Sequence, residues 1–179
     1  MRAGLCAALV IVNLQWASGQ GSDLAGTWKL DQDRSRATEP ASVASLAGSG
    51  APAVLYITQP ANGTLIVESQ INESHSRIYV PGRKATTPIT VGPPGSVTMT
   101  TRWDGRTLVS EGSRETTTGT SSAVTELKEV FAVSADGSTL TIEVTATADG
   151  KKSVSQLTYT RLKDVGPCQS WPTPCKTPP

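Results

Sequence analysis

The sequence predicts an all-β fold, an up-and-down antiparallel β-barrel of eight to ten strands, on three observations. Asn62-Gly63, Asp104-Gly105, Asp136-Gly137 and Asp149-Gly150 punctuate the chain, and each pair tolerates the positive φ that a tight hairpin turn demands. The segments between them are rich in Thr, Ser and Val, and aromatics make up only 4% of the residues, a composition that favours pleated strands over helices. Gly26-Thr27-Trp28 opens the first of these segments, where an indole can plug one end of a closed sheet. A meander of this length leaves two exposed edges unless it closes on itself, and a barrel is that closure.

Met1-Arg2, the apolar run from Ala3 to Leu14 and the small residues Ala17-Ser18-Gly19 read as a secretory signal over 1–19. The run is too short to span a membrane. Cys6 lies inside it rather than at its end, so no lipid anchor is expected. The expectation is an exported soluble protein, secreted or periplasmic, with no integral membrane segment once the signal is cleaved. A single barrel domain is assigned to 20–163, a size sufficient to bury a core.

Within that domain the expected strands run over 25–31, 53–60, 64–71, 76–80, 84–91, 96–103, 106–115, 122–134, 139–148 and 152–162. Pro81-Gly82 and Pro94-Gly95 supply further turns. The long connection from Gln32 to Pro52, rich in Ala, Ser, Gly and Pro, reads as a lid or an insert, with Ala41 to Ala47 as a helical turn. Residues 164–179 form a Pro-rich tail. Its Cys168 and Cys175 are expected to pair in an oxidising compartment, since two thiols without a neighbouring histidine make a poor metal set.

Charge narrows the partner classes. Without Arg2 the 16 basic residues fall to 15, equal to the 15 acidic ones, and a neutral chain is a poor nucleic-acid ligand. No zinc or phosphate-loop spacing occurs. His75 stands alone, with no local carboxylate to orient it as a catalytic base. Asn62 and Asn72 begin Asn-x-Ser/Thr sequons, relevant only in a eukaryotic secretory route.

Register follows from the turns. Two-residue turns at Asp136-Gly137 and Asp149-Gly150 set Val133, Phe131, Glu129 and Leu127 opposite Leu140, Ile142, Val144 and Ala146. They set Tyr159, Leu157, Ser155 and Ser153 on the other side of the same four residues. Inner side chains are thus bulky near Asp136-Gly137 and small near Asp149-Gly150. The hairpin at Asp104-Gly105 repeats the gradient, with Trp103, Leu108 and Met99 toward its turn and Ser110 and Gly112 away from it. Strand alternation brings the bulky ends together, so one end of the barrel is full and the other roomy. Trp28 and Arg161 fall at the full end, where a cation–π contact would close the floor.

Gly26-Thr27-Trp28-Lys29-Leu30-Asp31 with Ser35, Trp103-Asp104-Gly105-Arg106-Thr107-Leu108, Asp136-Gly137-Ser138-Thr139-Leu140-Thr141 and Tyr159-Thr160-Arg161 together resemble a family of secreted bacterial lipocalin-like, calycin-type barrels of uncharacterised function. The resemblance covers nearly all of the mature chain. It departs in lacking a Thr-Asp-Tyr motif and in keeping its cysteines within the tail. It implies small apolar ligand binding as a class tendency.

The roomy end therefore carries the expected ligand residues: Val54, Tyr56, Ile71, Met99, Ser110, Leu127, Glu129, Val144, Ala146 and Ser155. Glu129 stands out, because a carboxylate placed inside a barrel needs a polar ligand group or a buried cation to meet it. The function expected is binding of a small hydrophobic or amphipathic molecule. The alternative is a filled barrel whose open-end loops grip a protein partner. No catalytic residue, cofactor or metal is expected.

Overall fold

The computed structural model describes residues 22–36, 51–60, 63–69, 76–89 and 93–162. Ten strands follow in chain order: β1 Gly26–Leu30, β2 Val54–Thr58, β3 Leu65–Ser69, β4 Ser76–Tyr79, β5 Lys84–Pro88, β6 Gly95–Asp104, β7 Thr107–Thr118, β8 Ser121–Val133, β9 Thr139–Ala148 and β10 Lys151–Arg161. They form one sheet in the order β4-β3-β2-β1-β10-β9-β8-β7-β6-β5, every neighbouring pair antiparallel. The first and last strands pair, and the sheet curls until its edges, β4 and β5, touch along a short stretch. The expected meander is thus a ten-stranded barrel with one narrow seam.

Turn chemistry accounts for the tight connections. Asp149 and Gly150 both take positive φ, 50° and 73°, the pattern of a two-residue turn whose twist matches the strands it joins. The expected pairing across it holds throughout, from Lys151 opposite Ala148 to Tyr159 opposite Leu140. The β8–β9 pairing from Leu127↔Ala146 to Val133↔Leu140 is likewise as expected.

Facing residues stack into inner tiers. Nearest the closed end lie Leu30, Tyr159, Leu140 and Val133. Above them come Leu157, Ile142, Phe131, Leu108 and Trp103, of which the first four are fully buried. Each such side chain withdrawn from water contributes about 1.5–3 kcal/mol. Trp28, also fully buried, closes the bottom: its Nε1 donates to the Leu24 carbonyl at 3.0 Å, and the Arg161 guanidinium sits 4.4 Å from its ring centre. Asp23 anchors Arg161 in turn through its backbone carbonyl, at 3.0 Å.

Two hairpins depart from expectation. The β6–β7 turn falls at Gly105-Arg106 rather than Asp104-Gly105, so Met99 faces Gly112 away from the turn instead of lying toward it. The β2–β3 hairpin departs in register. A two-residue turn at Asn62-Gly63 would set Tyr56 opposite Ser69, yet Leu55 occupies that place. A one-residue shift exchanges the two faces of a strand, so Leu55 and Ile57 join Trp28 in the main core, while Val54 and Tyr56 pack with Ala25 in a separate cluster on the opposite face. Val54 and Tyr56 are therefore corrected: they do not line the interior. Ile71, His75, Asn62, Asn72, the signal, most of the 32–52 connection and the tail with Cys168 and Cys175 lie outside the described residues.

Gly112 also has a different reason from the one expected. Rather than simply leaving room, it lets β6 and β7 approach: a Cβ built there would lie 1.9 Å from the Thr98 carbonyl oxygen. Glycine in a strand interior marks such close backbone approaches.

Candidate ligand site in the barrel

Above the apolar tiers the interior turns polar. Thr101, Ser110, Glu129, Val144 and Ser155 face one another across β6, β7, β8, β9 and β10, and all five are buried. The hydroxyls of Thr101 and Ser110 bond each other at 2.9 Å. Glu129 is 0% exposed, and a lone charge there would be strongly unfavourable.

The compensating groups come from the other side of the barrel. Alternation along β4 puts Arg77 opposite Val67 and Tyr79 opposite Leu65, on the inner face. Arg77 Nη1 donates to Glu129 Oε1 at 2.7 Å, and the Tyr79 hydroxyl donates to Oε2 at 2.9 Å. The Arg77 guanidinium lies 5.2 Å from the Tyr79 ring centre, and Tyr79 meets Phe131 edge to face, their centroids 5.2 Å apart. Burial opposes the Arg77 charge most strongly of any single influence, but the attractions of Glu129 and Tyr79 together with the hydrogen bond to Glu129 outweigh it and hold the guanidinium protonated, above its ordinary value. Burial raises the Tyr79 phenol well above its usual range, so it remains a donor. These three side chains form a strut across the barrel at one fixed height.

The strut is not saturated. Arg77 is 3% exposed, yet among the described residues its buried Nη2 has no hydrogen-bond partner. A buried donor left unpaired costs about 1–3 kcal/mol, so this atom can still donate to an acceptor.

Beyond the polar tier the lining mixes apolar and small residues. Met99, Gly112, Leu127, Ala146 and Ser153 face one another there, and Met99, Leu127 and Ala146 join Val97 in a small apolar cluster distinct from the main core. One tier further out stand Val97, Arg114 and Thr125, with Lys151 at the same end of β10. Of the expected ligand residues, Met99, Ser110, Leu127, Glu129, Val144, Ala146 and Ser155 come together on this inner wall. Arg77, Tyr79 and Arg114 were missed. The alternation Ser76-Arg77-Ile78-Tyr79 could have placed the first two on one face, and an inward Glu129 called for a cation.

Two surface depressions lie elsewhere. A crevice of about 270 Å³ at the closed end runs between Asp23, Arg106, Asp136 and Arg161. A shallow groove of about 390 Å³ crosses the outer face of β7–β9, where Glu111 already pairs with Arg102 and Lys128, each at 2.8 Å. Neither reaches the strut. Among the described residues no group of three His, Cys, Asp or Glu side chains could hold a metal, and no helix is long and apolar enough to cross a membrane.

No family model and no curated protein matches this chain. Similar solved structures include the REP1-NXSQ fatty acid transporter, at 14% identity and a TM-score of 0.47, over 79% of this chain and 97% of that one. Another is fatty-acid-binding protein 1 of Echinococcus granulosus, at 18% identity and a TM-score of 0.42, over 78% and 97%.

Proposed function

We propose that this protein binds a small amphipathic molecule in the upper half of the barrel and performs no chemistry on it. The ligand's apolar body would lie against Val97, Met99, Leu127 and Ala146, and a polar group at its inner end would accept a hydrogen bond from Arg77 Nη2. The observation that carries this reading is the buried guanidinium nitrogen, unpartnered among the described residues, beneath a tier that includes Gly112, Ala146 and Ser153. Sites for small molecules commonly combine apolar walls with a few convergent polar groups. The strut argues against proton transfer, because Glu129 is already engaged by Arg77 and Tyr79.

Displacement of a fluorescent fatty-acid probe tests the reading. The wild-type protein should take up the probe, and the double variant Arg77→Met/Glu129→Leu, which keeps the interior filled and neutral, should bind ω-oxygenated chains more weakly while remaining folded. Absence of uptake by the wild type would refute it. We propose further that the protein works after export. A mature N-terminus near Gln20, read by mass spectrometry on protein from its own host, checks that point.

A further inference from the structure

Charge is distributed unevenly along the inner wall. At the strut, one guanidinium and one carboxylate cancel. A second carboxylate placed on Arg77 Nη2 would sit beside Glu129, and like charges sharing a buried site disfavour each other's ionised forms. The inner end of the ligand is therefore an uncharged acceptor, such as a hydroxyl, carbonyl or ester oxygen.

The outer tier is different. Arg114 lies on the inner face of β7, opposite Val97 on β6 and Thr125 on β8. Its Nε is buried and, among the described residues, has no hydrogen-bond partner, while the side chain as a whole is half-buried. Lys151 shares the inner-facing alternation of Ser153 and Ser155 at the same end of β10. The acidic residues nearest in the register, Glu115 opposite Ser96 and Val124 and Glu126 opposite Ser113, belong to the outward alternation. Among the described residues, no carboxylate on the inner wall answers Arg114.

We infer that the ligand is a monoanion bound with its charge at the mouth, its carboxylate or equivalent anion meeting Arg114, and an uncharged oxygen at its far end meeting Arg77. This deepens the proposed function and rests on it. Ser110 in the polar tier and Arg114 are four residue steps apart, a span of about 14 Å along the strand. A medium-length acyl chain oxygenated at its ω end bridges that span, with Met99, Leu127 and Ala146 along its length.

Competition against the fluorescent probe by dodecanoate, ω-hydroxydodecanoate, dodecanedioate and dodecanol distinguishes the possibilities. The wild type should prefer ω-hydroxydodecanoate to dodecanoate by about tenfold, the worth of one hydrogen bond to a charged donor. Dodecanedioate should gain nothing over dodecanoate. Arg114→Gln should weaken both monocarboxylates by about tenfold or more and leave dodecanol unchanged. Tighter binding of the dianion than of ω-hydroxydodecanoate, or equal carboxylate binding by Arg114→Gln and wild type, would overturn the inference. Failure of every competitor and of the probe itself would instead remove the barrel-binding reading on which it rests.

Discussion

The two halves of this barrel are built from the same strands yet are lined differently. Below the strut, Leu157, Ile142, Phe131, Leu108 and Trp28 fill the interior, and Trp28 and Arg161 shut the bottom. Above it, Ala146, Ser153 and Gly112 take the matching positions of the same strands. The lesson is that side-chain bulk, varied tier by tier along an otherwise uniform meander, divides one closed sheet into a half filled by large apolar side chains and a half lined by smaller ones. Glu129, Arg77 and Tyr79 mark the border.

The comparison can be broken most directly at that border. Glu129→Ala leaves Arg77 as an uncompensated buried charge and should lower unfolding free energy by about 3–5 kcal/mol, measured by urea denaturation. Recovery of most of that loss in Arg77→Met/Glu129→Leu would show that the pair is not kept for stability. A loss below 1 kcal/mol for Glu129→Ala would mean that water reaches the strut.

Next in size is the contrast between tiers. Leu157→Ala should cost about 3–5 kcal/mol, because its packed surroundings cannot collapse around the cavity, whereas Met99→Ala should fall near 2 kcal/mol or below. Equal losses would erase the distinction between the two halves.

A smaller effect sharpens the description of the floor. Among the described residues the buried Tyr159 hydroxyl has no partner, and burial raises its pKa. Tyr159→Phe should therefore stabilise the protein by about 1 kcal/mol, seen as a higher denaturation midpoint. Destabilisation would mean that the hydroxyl meets a group beyond the described residues.

The smallest effect belongs to the turn below the floor. Hydrogen bonds from Ser134 and then Ser138 lower the Asp136 pKa from 3.8 to about 2. The folded state thus prefers the ionised form, so this contribution to stability is complete above pH 3.8 and fades as pH falls toward 2. Asp136→Asn should flatten the stability profile in that window and leave it unchanged at neutral pH. A profile parallel to that of the wild type would contradict the assignment.

Much of this architecture was legible in the chain. Strict period-2 alternation and two-residue turns fixed the β8–β9–β10 register, and with it the inward Glu129 and the stacking of Arg161 on Trp28. The β2–β3 hairpin was misread because its register depends on loop length, and one residue's difference sent Val54 and Tyr56 to the other face. Arg77 and Tyr79 escaped for another reason. They lie 52 and 50 residues from Glu129 and meet it across the barrel rather than along a hairpin, so no turn relates them. Only the need of a buried carboxylate for a cation pointed toward such a partner.

The most direct test of a receptive upper half is Ala146→Trp, with Thr145→Trp on the outer face as control, assayed by uptake of a fluorescent fatty-acid probe. An indole at position 146 should abolish uptake while the control binds as the wild type does. Undiminished uptake by Ala146→Trp, with the protein still folded, would contradict a ligand site above the strut.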